Sequence, residues 1–239
     1  MTTNLGLSPI QLFDLHIDTL FRNDPDGRLR CINEVGNPPA PRFFMGRTRE
    51  GNCWRFRHDL PNDVIELLQQ LSHSEPNHSE FAGHPQNYAA IRAVLENHAP
   101  IQKEYRGPAY WIPAGKQRAT SAVLISTTNA QLLETNFAWA LPLTRDIQYG
   151  PIAVSPAEGV AVSICFCSRI PGQAMEAGVE TMEPFQGKSH ATDAVTRWAE
   201  EVRRIGCLPL YGTSWGNLAS QRIARKLYMT LYGEDWWIE

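Results

Sequence analysis

The sequence has no apolar run approaching the roughly 20 residues a helix needs to cross a bilayer. Its start, "MTTNLGLSP", has neither the basic stretch nor the apolar core of a secretory leader. A cytoplasmic protein with no membrane partner is the expectation. There is no basic excess either: 22 Lys and Arg against 25 Asp and Glu leave a formal charge of −3, so no global field would hold nucleic acid. Cysteine is scarce and odd in number, five in all, which without an export signal reads as reduced thiols rather than a disulfide framework. Cys165 and Cys167 share a strand face, but no second Cys or His pair stands at ligand spacing, so no metal is expected. Histidines 73, 78 and 84 fall in a polar stretch without an H-x-x-x-H pattern and read as solvated loop residues. "GTSWG", Gly212 to Gly216, has the spacing of a nucleophile elbow, yet no histidine follows Ser214, which removes the third member of a hydrolase triad.

What is there is enough apolar sequence, 43% of 239 residues, for a substantial core in one large domain or two small ones. Ser8, Pro9 and Gln11 form a capping box ahead of Ile10, Phe13, Ile17, Leu20 and Phe21, which predicts a first helix. Asp26-Gly27 and Glu50-Gly51-Asn52 each sit between short runs as hairpin turns. The second hairpin carries Arg42, Phe43, Phe44, Arg47, Arg49, Trp54, Arg55, Phe56 and Arg57, a mixture that can bind single-stranded nucleic acid. Alternation puts Trp54 and Phe56 on one face and Arg55 and Arg57 on the other, so a half-buried sheet with a solvated side is favoured and nucleic acid is disfavoured. Helices are expected from about Pro61 to Leu71 and from Tyr88 to a point before Pro100, with an exposed loop from Ser72 to Pro85 between them.

From about Ser121 the rhythm changes to compact elements. "AVLIS" reads as a strand, "NAQLLETNFAWAL" as a helix capped by Asn129, and "GPIAVS", "EGVAVSICFCSR" and "EAGVETM" as three successive strands. Ala191, Ala194, Val195, Trp198, Val202 and Ile205 recur at helical spacing and Gly206 stops that helix. "CLPLYGTS" is a further strand, "NLASQRIARKL" a helix capped by Asn217, and "MTLYGEDWWI" a last strand. The loop "EPFQGKSHATDAV", Glu183 to Val195, places Gly187, Lys188 and Ser189 at a helix start. Successive backbone N–H groups there, helped by the helix dipole, can hold a pyrophosphate without particular side chains, and Lys188 and His190 can add charge. Ser189 fits as a cap at negative φ and costs on the order of 1 kcal/mol at positive φ.

Strand, "QGKSHA", long amphipathic helix, strand, then "NLAS" opening another helix resembles the GCN5-related N-acetyltransferases, over about residues 116–239 or half the chain. Their signature, Q/R-x-x-G-x-G/A, is met by Gln186 at its first position and Ala191 at its last, with Ser189 where the central glycine belongs. The resemblance implies an α/β domain with a mixed, mostly antiparallel sheet flanked by helices, preceded by an N-terminal α+β region at 1–115. It implies acetyl-CoA as co-substrate and direct transfer of acetyl to a primary amine of a small molecule or peptide. It further implies main-chain contacts of Val179 and Thr181 with the pantetheine arm, contacts of Gln186, Gly187, Lys188, Ser189, His190, Ala191 and Thr192 with the pyrophosphate, and a pantetheine bond from Asn217. A helix cap explains Asn217 equally well, and core packing the Val179 side chain.

Such a transfer needs a base for the ammonium and a proton for the leaving thiolate. Glu176 and Glu180, four apart on the strand before the loop, share a face and are the candidate bases, Glu176 first; a surface carboxylate is the plain alternative. Many relatives carry an acidic tyrosine seven residues beyond the motif asparagine, and here that position is Ala224. Ser220, Tyr228 or Tyr232, or water, would have to substitute, with Tyr228 foremost because it lies one helical turn past Ala224. A non-catalytic acyl-CoA-binding regulatory module is the alternative function, and the oligomeric state, monomer or homodimer, is open.

Overall fold

The computed structural model describes residues 6–77, 80–81, 83–115 and 120–239; His78 and residue 116, where the C-terminal domain was expected to begin, lie outside them. Along the chain run α1 (Pro9–Leu20), β1 (Phe21–Asn23), β2 (Leu29–Ile32), β3 (Phe43–Arg47), β4 (Asn52–Phe56), α2 (Asn62–His73), α3 (Tyr88–His98), β5 (Glu104–Trp111) and β6 (Val123–Leu124). Three 3-10 segments between Ala130 and Tyr149 follow, then β7 (Ala153–Ala157), β8 (Val160–Cys167), β9 (Ala174–Thr181), α4 (His190–Arg204), β10 (Leu208–Gly212), α5 (Leu218–Lys226) and β11 (Thr230–Ile238). They form two compact units. The first gathers the chain up to Tyr110 with Thr213–Asn217 and Leu231–Glu239; the second is Trp111–Gly212 with Leu218–Thr230. The last strand, expected from the sequence in the C-terminal region, belongs to the first unit.

In the first unit the strands lie in the order β4-β3-β11-β5, with β3 antiparallel to both its neighbours. Alpha-1 starts on the capping box that the sequence announces, Ser8 Oγ accepting the Gln11 N–H and Gln11 Oε1 accepting the Ser8 N–H. One sheet face packs Phe43, Met45, Phe56, Trp236 and Ile238 against Leu68, Ile91 and Leu95 of α2 and α3. The other meets α1, where a Cβ on Gly46 would stand 2.6 Å from the Phe13 ring. The arginine face of the hairpin is half-buried: the Arg55 and Arg57 side chains keep 31% and 22% of their surface, paired with Asp14 and Asp59, while Arg42 and Arg47 turn inward. Both faces of β3 are covered by helices, Arg47 and Arg42 are 1% and 3% exposed, and neither can reach a nucleic-acid backbone. Beta-5 went unread in the sequence because Gly107 and Pro108 interrupt its pattern.

In the second unit the order is β10-β9-β8-β7-β6, antiparallel except for β9 and β10, which run parallel across the α4 crossover. The alternation read from β8 sorts its two faces. Cys165, on the face toward α4, is fully buried and its thiol is pushed up well above the usual range by desolvation; the same cause takes Cys167 up to about 12. Ile164 and Phe166, on the opposite face, pack with Leu133, Phe137, Ala140, Ile152 and Val154. The segment read as a helix from Asn129 forms two 3-10 segments instead, Ala130–Leu133 and Ala138–Arg145, the second running through Pro142. Asn129 bonds backwards rather than forwards: its Oδ1 accepts the Ser126 N–H at 2.7 Å and its Nδ2 donates to the Leu124 carbonyl at 2.9 Å. The strand expected as "AVLIS" contracts to Val123–Leu124.

Candidate functional site

Beta-9 is paired along its length with β8, from Cys167 opposite Ala177 to Ser163 opposite Thr181. Its pairing with β10 is much shorter and ends where Leu210 meets Glu176. The Ser168 N–H bonds to the Glu176 carbonyl and the Met182 N–H to the Val162 carbonyl, so even-numbered residues of β9 address β8. By period two, the N–H and C=O groups of Ala177, Val179 and Thr181 face the other edge, where no strand continues. The Thr181 carbonyl accepts the Gln186 side-chain amide at 3.4 Å. The parallel bridge of Leu210 with Glu176 takes the Ala177 N–H, so the Ala177 carbonyl and the N–H and C=O of Val179 are what face the open cleft.

At the end of that edge the chain turns into α4 through two left-handed residues, Gly187 at φ 75° and Ser189 at φ 73°. Ser189 thus keeps the conformation a glycine would adopt, at a cost of about 1–2 kcal/mol for a residue with a Cβ. Its hydroxyl caps nothing, contrary to the capping role open to it from sequence. The intrahelical ladder starts with the Asp193 N–H on the Ser189 carbonyl, 3.0 Å away. The six consecutive N–H groups from Gly187 to Thr192 meet no acceptor among the described residues. That array, at the positive end of a 15-residue helix, is a concentration of unspent donors suited to an oxyanion such as a diphosphate.

Side chains around the loop are less available than the sequence implies. The His190 ring is hydrogen-bonded through Nδ1 to Ser155 Oγ of β7 at 2.8 Å, which ties it to the sheet. Thr192 is buried and donates its hydroxyl to the Ser189 carbonyl. Lys188 is exposed, with Nζ 5.6 Å from the Phe185 ring centroid, and Ala191 offers only its backbone. Asn217 falls in the first unit, exposed, just ahead of α5, with its N–H on the Ser214 carbonyl.

Glu176 stands where β10 leaves β9. Its Oε2 accepts the Ser168 hydroxyl at 2.9 Å, and its Oε1 lies 2.7 Å from where a Cβ on Gly212 would be. The carboxylate therefore leans over β10 into space that only a glycine leaves. Glu180 shares the face but is exposed. Ser220 Oγ is 2.5 Å from the hydroxyl of Tyr211, a buried tyrosine of β10 that the sequence reading did not single out. Tyr232 lies in the first unit, hydrogen-bonded to His16.

Tyr228 does not sit where helical spacing puts it. Alpha-5 ends at Lys226, and the chain closes it with the Tyr228 N–H on the Arg225 carbonyl and the Met229 N–H on the Ala224 carbonyl, a Schellman arrangement. Tyr228 occupies the left-handed C′ position at φ 51° with 86% of its surface exposed, whereas Ala224 is buried. The two share no face, because the helix stops between them.

Two glycines carried a signal that sequence reasoning passed over. Gly178, in mid-strand, is crossed by the Phe166 ring, which would lie 2.6 Å from an added Cβ, and Gly212 makes room for Glu176. A glycine inside a strand often marks such a close approach.

No family model matches the chain, and no curated protein matches it. Solved structures do. This chain is similar to GNAT-family structures. One is a GNAT-family protein from Novosphingobium aromaticivorans, at 16% identity and a TM-score of 0.46; the match covers 58% of this chain and 65% of that one, so this chain spans less than two thirds of that protein's length. A GCN5-related N-acetyltransferase-like protein from Streptococcus suis matches at 14% identity and a TM-score of 0.49, over 84% of this chain and 85% of that one. The yncA protein of Salmonella typhimurium, solved with its cofactor acetyl-CoA, matches at 16% identity and a TM-score of 0.38, over 50% and 92%. Among the described residues no helix is long and apolar enough to cross a membrane.

Proposed function

We propose that the second unit binds acetyl-CoA and transfers its acetyl group to a primary amine of a small molecule or peptide by direct attack. The observation that carries this reading is the open edge of β9 leading into six unspent N–H groups at the start of α4. An extended amide-bearing arm fits the first as an added strand would, and a diphosphate fits the second. Glu176 takes the proton from the incoming ammonium. The free amine attacks the thioester carbonyl, and the new oxyanion is stabilised by the edge N–H of β9 at Val179. The C–S bond breaks as the C–N bond persists, and the second proton of the attacking nitrogen passes to the leaving thiolate through water or through the Ser220 hydroxyl, which is coupled to Tyr211.

Calorimetry with acetyl-CoA tests the donor site: saturable binding is expected, and no heat at millimolar ligand would remove it. One observation favours a second reading, a non-catalytic acyl-CoA-binding module: buried Ala224 stands at the family's tyrosine position, and exposed Tyr228 does not replace it. Release of free CoA thiol separates the two. Turnover above the protein-free rate supports the transferase; binding without thiol release across an amine panel supports the module.

A further inference from the structure

Glu176, Gly178 and Glu180 lie on one face of β9, and Phe166 of β8 is directly opposite Gly178. With no side chain at Gly178, the Phe166 ring lies across β9 between the two carboxylates. Trp139 stands against that ring, centroids 4.9 Å apart and planes at 73°, and its indole is 45% exposed. An indole left so open, braced edge to face on a second aromatic, gives a flat apolar wall beside a carboxylate. We infer that Phe166 and Trp139 form the acceptor platform, and that the acceptor is a primary amine joined by a short linker to an aromatic or comparably flat apolar group.

Along β9 two residues span roughly 7 Å, so a ring over Phe166 and an ammonium at Glu176 are separated by a linker of two or three atoms. Glu176, half-buried at the point where β9 and β10 diverge, is better placed to hold the ammonium than exposed Glu180, whose charge is screened by solvent. Aromatic faces also attract the cation itself. A polyhydroxylated amine brings less apolar surface to these rings and gains less from them.

This inference rests on the acyl-transfer reading, and the test separates the two. The full chain is given acetyl-CoA with 2-phenylethylamine, n-butylamine or glucosamine, and CoA thiol release is followed. We expect kcat/KM for 2-phenylethylamine to exceed the other two at least tenfold. Trp139→Ala should erase that preference through KM with kcat within about twofold, and Trp139→Phe should restore it. Equal ratios in wild type and Trp139→Ala, or a preference for glucosamine, overturn the acceptor class, as does binding of acetyl-CoA without turnover of any of the three; in each case the donor site stands. Absence of acetyl-CoA binding overturns both. Trp139 is a surface residue, and unchanged circular dichroism and donor affinity in Trp139→Ala exclude misfolding as the cause.

Discussion

The two units treat polar groups in opposite ways. In the first, charges are buried and spent on one another. Glu234, wholly buried, accepts from Arg47, from Arg106 at 2.6 Å and from the Trp215 indole at 2.6 Å. Glu75 accepts the N–H groups of Gln86 and Asn87, both at 2.8 Å, at the start of α3. In the second, an edge of β9 and the first turn of α4 keep donors that none of the described residues uses. Satisfied polar groups hold a fold in register, and unsatisfied ones are what a ligand can use. A strained Ser189 in the second unit belongs to the same contrast, since strain of this kind persists only where surrounding structure enforces it.

The contrast can be broken from the first unit most severely. Glu234→Ala leaves buried Arg47 with only Glu75 at 3.8 Å, while Arg106 keeps the Gly83 carbonyl, and should cost about 3 kcal/mol, read as a fall in the urea midpoint; a loss below about 1 kcal/mol would show that the buried network is not what holds this unit. In the second unit Gly212→Ala should spare stability and damage function. The new Cβ displaces only the flexible end of Glu176, so thermal unfolding should hardly move while kcat/KM falls about 100-fold, the scale of a lost general base. Val179→Pro deletes a donor on the open edge without touching the β8 ladder, and should weaken acetyl-CoA about tenfold by calorimetry, the worth of one hydrogen bond.

Smaller effects sharpen the picture. Ser189→Gly relieves the left-handed strain at some cost in unfolded-state entropy, so a net gain of about 0.5–1 kcal/mol is expected, seen as a rise in Tm. The units behave alike in one respect. Burial pushes the thiols of Cys53 in the first and Cys167 in the second up to about 12 from an ordinary 9.0. A raised folded value favours the protonated thiol, so its contribution is complete below pH 9 and is lost as pH rises toward 12. The urea midpoint should decline over that window, and Cys53→Ala, compared with its own value at pH 8, should decline less.

Much of this was legible in the residues. Capping-box and Gly206 signals set the ends of α1 and α4, and period two in β8 sorted its faces. What escaped did so for local reasons: Gly107 and Pro108 masked β5, and the Asn129 side chain turned back to its own strand instead of opening a helix. Tyr228 was misplaced because a spacing argument assumes the helix continues, and here it ends in a Schellman turn two residues earlier. Gln186, Gly187 and Ser189 could be picked out as a loop, whereas the unspent state of its six N–H groups could not.

By itself the sequence determined most of the helices and strands, β5 and the Asn129 segment excepted, and where a phosphate-sized turn falls, since periodicity, caps and glycines act over a few residues. Only the tertiary structure decided that β10 parts from β9 at Glu176, that Ser189 is held left-handed, and that Arg47 is internal. Those outcomes depend on strand register and on elements far apart in the chain, such as Arg47 and Glu234, and no local pattern encodes which distant partner a residue will meet.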